Sequence, residues 1–142
     1  MAADPFFLDS NGWVALLNNR ETLHARADAI WQQLGRAGRS IVLTDWIVAE
    51  TGNSLARTTS RPRFPEGVRR LLANPNVRIV QVDPTLRNRA VELYADRPDK
   101  TWGLVDCVSF VVMRDEGIKE AFTTDRHFEQ AGFNCLLPAS AL

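Results

Sequence analysis

Apolar positions in this chain alternate between short runs suited to strands and stretches spaced for helices. The run FFL follows Pro5 and ends in Asp9-Ser10, which predicts a first strand over about residues 6–9. Trp13, Leu16, Leu17, Leu23, Ala27, Ile30, Trp31 and Leu34 then recur at helical spacing, as one helix or two around a break near Asn18-Asn19, closed by Gly35 and Gly38. Residues 41–43 (IVL) read as a second strand, and Thr44-Asp45 caps a helix over WIVAETGNSLAR. VRIVQV is the third strand signal, and Asp83-Pro84 opens a helix through TLRNRAVELYA. An apolar helix over 103–115, stopped by Gly117, leads to a fourth strand in EAFTTD. A short helical turn in RHFEQAG precedes a fifth strand in NCLL. Strand and helix in alternation imply right-handed crossovers, and hence a three-layer α/β/α sandwich around a central, mostly parallel five-stranded sheet. The stretch RTTSRPRFPEGVRR, residues 57–70, reads as a loop because of Pro62 and Pro65. No repeat and no Gly/Ser/Pro-rich linker divides the 142 residues, so one domain is expected.

Composition narrows the partners. Seventeen basic residues balance seventeen acidic ones, so no overall field draws the chain to a polyanion and any such site must be a local patch. Two cysteines, Cys107 and Cys135, are too few for a disulfide framework and suit a reducing cytoplasm. No window approaches the roughly 18 uninterrupted apolar residues of a membrane span, and the N-terminus has no basic, then apolar, leader pattern, so a cytoplasmic protein is expected.

The chemistry lies in the acids. In open parallel sheets ligands sit outside the carboxyl ends of the strands, and Asp9 and Asp125 terminate the apolar runs FFL and AFTT. Glu50 falls in the first turns of the helix after the second strand. Asp106 stands near the start of the apolar helix, among Leu104, Val105, Cys107 and Val108. A carboxylate in such surroundings is costly unless it is paired or bound to metal. Four converging carboxylates repel one another and call for a cation, and an all-oxygen set favours Mg²⁺ or Mn²⁺ over zinc. Taken singly, an Asp at a strand end also serves as a helix cap or turn residue.

The segments FLDSNGWVALLNNRETLHARA, TDWIVAETGNSLAR, DKTWGLVDCVSFVVMRDEG and AFTTDRHFEQAG together resemble a PIN domain of the VapC toxin type, over nearly the whole chain. The last two motifs are the specific ones. The resemblance implies that Asp9, Glu50, Asp106 and Asp125 hold one or two divalent metals. It further implies Mg²⁺- or Mn²⁺-dependent ribonuclease activity on structured RNA, a cognate antitoxin and a homodimer. Where the family often has Ser in the helix motif this chain has Gly103, and Thr101 could substitute.

Several other residues carry two readings each. Ser10 and Thr124 flank acids and could hydrogen-bond them, or serve only in turns. Asp99 could cap the apolar helix or stand in an outer shell of a metal. His24 and His127 are better read as packing or capping residues than as bases. Trp13 and Trp31 belong to a core stripe, whereas Trp46 and Trp102 remain open to base stacking. Arg57, Arg61, Arg63, Arg69 and Arg70 form the one basic patch, with Phe64 among them as a candidate stacking ring. A non-catalytic RNA- or protein-binding module is the competing function. A receiver-like or phosphatase domain is a third, although a receiver would want a Lys after a late strand where Arg126 stands.

Overall fold

The structure, a computed structural model, describes residues 3–137. Strands β1 (Ala3–Leu8), β2 (Arg39–Thr44), β3 (Val77–Val80), β4 (Glu120–Phe122) and β5 (Asn134–Cys135) alternate with seven helices. These are α1 (Ser10–Leu17), α2 (His24–Arg36), α3 (Asp45–Leu55), α4 (Arg63–Ala73), α5 (Pro84–Asp96), α6 (Leu104–Glu116) and α7 (Arg126–Gln130). The sheet order is β3-β2-β1-β4-β5, and every pairing is parallel.

That order places β1 at the centre, where the chain turns to one side for β2 and β3 and to the other for β4 and β5. Right-handed crossovers then put α1 to α4 on one face and α5 to α7 on the opposite face. Alternation along β1 matches. Phe6 packs with Trp31 of α2, and Phe7 with Phe128 of α7. Both phenylalanines are fully buried.

Three local differences from the sequence pattern have physical causes. β1 begins earlier than expected and ends at Leu8, so Asp9 is the residue that caps α1 and not the last of the strand. Pro5 is tolerated inside a central strand because the register shifts between Ala3 and Phe6. Residues 63–73 are helical, not a loop. Pro62 sits at the helix cap and Pro65 in its first turn, where a missing N–H leaves no intrahelical bond unmade.

Elsewhere the terminal signals act as their chemistry requires. Thr44 and Asp83 accept from Ile47 N–H at 3.2 Å and Leu86 N–H at 2.8 Å, and Gly117 closes α6 in the left-handed region with φ +67. Gly12 is the tightest position: a Cβ there would stand 2.1 Å from the Phe122 carbonyl oxygen. Only glycine lets the start of α1 lie against the end of β4, which brings Asp9 beside the TTD turn.

Candidate active site

The crevice lies where the strand order turns, outside the carboxyl ends of β1 and β4. Asp9 leaves the end of β1 and is 3% exposed. Its Oδ2 accepts from Thr123 Oγ1 at 2.8 Å, and the same Thr123 oxygen accepts the Asp125 N–H at 3.0 Å. One hydroxyl thus couples the two acids that terminate β1 and β4. Asn11 reinforces the join. Its Oδ1 accepts from the Thr124 N–H and Thr124 Oγ1, each at 2.8 Å.

The other two acids come from opposite helix layers. Glu50, on the second turn of α3, accepts a hydrogen bond from Ser10 Oγ. Asp106, at the third position of α6, accepts from the Gly103 N–H at 3.1 Å, so it caps its own helix while its carboxylate faces the crevice. Asp125 caps α7 by accepting from the His127 N–H at 2.9 Å. For Asp106 and Asp125, capping and membership of the cluster coincide in one side chain.

His127 is the residue that the sequence pattern undervalued. Its Nδ1 lies 3.0 Å from Asp106 Oδ2 and 3.4 Å from Asp125 Oδ1, while Nε2 lies 3.2 Å from Thr101 Oγ1. With carboxylates on one side, Nδ1 is placed to donate to them, and Nε2 meets the Thr101 hydroxyl, which can accept or donate. Asp106, Asp125 and His127 offer three ligand atoms within 4.8 Å of one another. Thr123 and Asn11 were missed as well, and the only sequence signal for them is their place inside the TTD and DSN triplets.

Electrostatics give the cluster its character. Burial pushes the Asp9 carboxyl up to about 7, against the Thr123 hydrogen bond, with Asp106, Asp125 and Glu50 raising it further. Asp106 is raised too, by burial first and by Asp125 after it, against the opposing Gly103 and His127 hydrogen bonds. Among the described residues no Lys or Arg pairs with any of the four acids; the only side-chain nitrogen that meets them is that of His127. A partly buried, oxygen-rich donor set without a paired Lys or Arg fits a hard divalent ion.

Several expected residues are placed elsewhere. Asp99 neither caps α6, a position held by Gly103, nor faces the cluster. It is bound by Arg97 at 3.0 Å through both oxygens, and that pairing lowers its pKa to about 2. Ser10 reaches Glu50 and Thr124 reaches Asn11, whereas Thr101 meets the site only through His127. Trp102 is buried, with its Nε1 donating to Gln130, which removes it from base stacking. Trp46 is half-buried and borders a shallow groove with Glu50 and Val105. Phe64 packs on Trp13 with ring centroids 5.6 Å apart, so it is a core contact and not a stacking platform. Of the arginine patch, Arg69 and Arg70 are tied to Glu66, and Arg61 donates to the Ala56 carbonyl. Arg57 and Arg63 make no ion pair among the described residues.

Comparison with known proteins gives the same picture from outside. Residues 6–134 match the PIN domain family. The chain is 28% identical over 127 residues to the 23S rRNA-specific endonuclease VapC20 of Mycobacterium tuberculosis, covering 89% of this chain and 94% of that protein. The crystal structure of that organism's VapC20, described as a Sarcin-Ricin loop cleaving toxin, superposes with a TM-score of 0.84 at 26% identity, covering 94% of this chain and 99% of the other. VapBC2 from Rickettsia felis, bound to a DNA fragment from its promoter, shares the fold at 12% identity, with a TM-score of 0.67 and coverage of 94% and 97%.

Proposed function

The chain belongs to the PIN domain family, and from that premise we propose that it is a divalent-metal-dependent endoribonuclease, the toxin of a toxin–antitoxin pair, with Asp9, Glu50, Asp106 and Asp125 as its metal-holding acids. The observation that supports this reading is that Asp106, Asp125 and Glu50 all lie near enough to repel the charge of Asp9, with Asp106, Asp125 and His127 offering ligand atoms within 4.8 Å of one another and no Lys or Arg paired with the acids among the described residues. A non-catalytic binding module would have no use for so costly an arrangement.

When bound there, Mg²⁺ or Mn²⁺ supplies charge neutralisation at the scissile phosphate and a more acidic attacking water. The protein's part is to hold the acids ready. Thr123 fixes Asp9 relative to Asp125, Ser10 orients Glu50, and the Gly103 N–H with His127 orients Asp106. Each carboxylate keeps an oxygen or a lone pair that these bonds do not use, and burial keeps competing water from Asp9.

RNA is the substrate class, with structured ribosomal RNA the first candidate by analogy with VapC20. The resemblance to VapC-type toxins adds a cognate antitoxin and a homodimer as protein partners. Among the described residues no helix is long and apolar enough to cross a membrane. Arg57, past the end of α3, and Arg63, at the start of α4, provide a further phosphate grip, since neither is engaged in an ion pair among the described residues.

The test is incubation of the purified, antitoxin-free chain with total bacterial RNA in Mn²⁺ or EDTA, followed by mapping of new RNA ends. Cleavage is expected in Mn²⁺ alone and should fall by at least about 100-fold in Asp9→Asn, since even groups one shell out from a metal are worth 10–100-fold. Cutting in EDTA, or by Asp9→Asn at the wild-type rate, overturns the reading.

A further inference from the structure

Beside the carboxylate cluster, and sharing a wall with it, lies a cavity of about 720 Å³ between the end of α5 and the start of α6. Its lining includes Val91, Tyr94, Arg97, Thr101, Trp102 and Gly103. Two of these belong to the crevice network: Thr101 bonds His127, and the Gly103 N–H bonds Asp106. A polymer whose phosphate sat at the acids could therefore reach into this cavity on the Asp106 side, as it could into the shallower groove beside Glu50 and Trp46 on the other.

The lining suits a flat, partly polar ring. Tyr94 is 55% exposed and Val91 47% exposed, and they are two of the three large apolar side chains left in solvent among the described residues. They stand one helical turn apart on α5, and Arg97 follows Tyr94 by another three residues on the same side. The Arg97 guanidinium is held in its plane by both oxygens of Asp99, and one face lies 5.0 Å from the Trp102 ring centroid. Trp102 is itself anchored by Gln130 and by an edge contact with Phe110. The guanidinium is thus a rigid plate backed by a fixed indole, half-exposed towards the cavity. Arginine plates and tyrosine rings are the surfaces on which unpaired bases stack.

We propose that this cavity is a nucleobase-binding subsite, in which an unpaired base of the substrate RNA, flanking the scissile phosphate, stacks on Tyr94 and Arg97. The inference rests on the ribonuclease reading for its substrate class. It adds that the enzyme grips an extruded base and not only the backbone. Arg97 and Lys100, which share the one carboxylate of Asp99, put a cationic donor on the side of the cavity away from the acids, where an adjoining phosphate could pair.

The experiment measures binding in EDTA, where no cutting occurs, of two probes of roughly ten units: oligoadenylate, and a ribose-phosphate chain of equal length without bases. Wild type should prefer oligoadenylate by about tenfold, as expected when one base stacks. Tyr94→Ala should lose most of that preference and keep its affinity for the abasic chain, while Tyr94→Phe retains the preference. Arg97→Lys, which keeps the charge but not the plate, should lose part of it. Since Tyr94 is an exposed side chain, an unchanged melting temperature verifies the fold. No base preference in wild type, or equal weakening on both probes in Tyr94→Ala, overturns the subsite. So does a Tyr94→Ala variant that shifts the monomer–dimer ratio in sedimentation while keeping the base preference, because this face is then a contact between copies. A protein that cleaves RNA without base preference sinks only the subsite, whereas base preference without cleavage sinks only the nuclease reading.

Discussion

The two ends of the sheet handle charge in opposite ways. At the amino end, Arg39 pairs with Glu120 at 2.7 Å, donates to the Asp4 carbonyl at 2.8 Å, and lies over the Phe6 ring. The Arg39 guanidinium there meets both a carboxylate and a backbone acceptor, and the result ties β1, β2 and β4 together. At the carboxyl end the four acids meet hydroxyls, backbone N–H groups and one imidazole, and among the described residues none meets a guanidinium or ammonium. Charge is spent on the fold at one end and held in reserve for a ligand at the other.

Thermal melts of one variant from each end sharpen the contrast most. In EDTA, Asp106→Asn should melt at or above the wild-type temperature, since it removes like-charge repulsion, while Glu120→Gln should melt a few degrees lower, for a destabilisation of up to about 1 kcal/mol. Mn²⁺ at a hundredfold excess over its dissociation constant should stabilise wild type and Glu120→Gln by about 2.7 kcal/mol, and Asp106→Asn by far less. If Asp106→Asn melts lower in EDTA and responds to Mn²⁺ like wild type, the ends do not differ in kind.

A smaller effect is expected from pH. The Asp9 carboxyl titrates near 7 in the folded protein, above its ordinary unfolded range, so the folded state holds the proton more tightly. Metal-free wild type should therefore lose stability as pH rises from about 4 to about 7, and Asp9→Asn should lose less across the same window. Parallel melting profiles for the two proteins would show that Asp9 bears no such burden. The smallest effect belongs to Arg57 and Arg63, which serve neither end. Replacing both with Gln should flatten log affinity against log salt for RNA by about 0.7 for each phosphate that is no longer neutralised, and an unchanged slope would make them plain surface.

Most of the frame was legible because the apolar pattern determines it. The β-branched run at 41–43, the Asp83-Pro84 start and the Gly117 stop each act through local geometry, and each appears where its chemistry requires. The four acids were legible as strand-end and helix-start residues, and the VapC-type motifs gathered them into a set. What escaped was whatever depends on contact between distant segments. Residues 9 and 123 meet through one hydroxyl, and nothing in their spacing announces it. His127 follows a strand end as a capping residue would, and only the fold turns its ring onto Asp106. Helix α4 escaped for the opposite reason, because two prolines that break most helices stand at the two places where this one tolerates them.

The hydroxyl of Thr123 that joins Asp9 to Asp125 also sets a schedule for biosynthesis. Asp9 and Glu50 leave the ribosome early, but the strand that completes the crevice is β4, and its threonine arrives 114 residues after Asp9. A nascent or truncated chain ending before β4 carries Asp9, Glu50 and Asp106 but neither Asp125 nor the Thr123 clasp, so on the proposed reading it would not cut. A stop codon placed before Thr123 would therefore yield a product in which Asp9 has lost its hydroxyl partner, however well the first three strands fold.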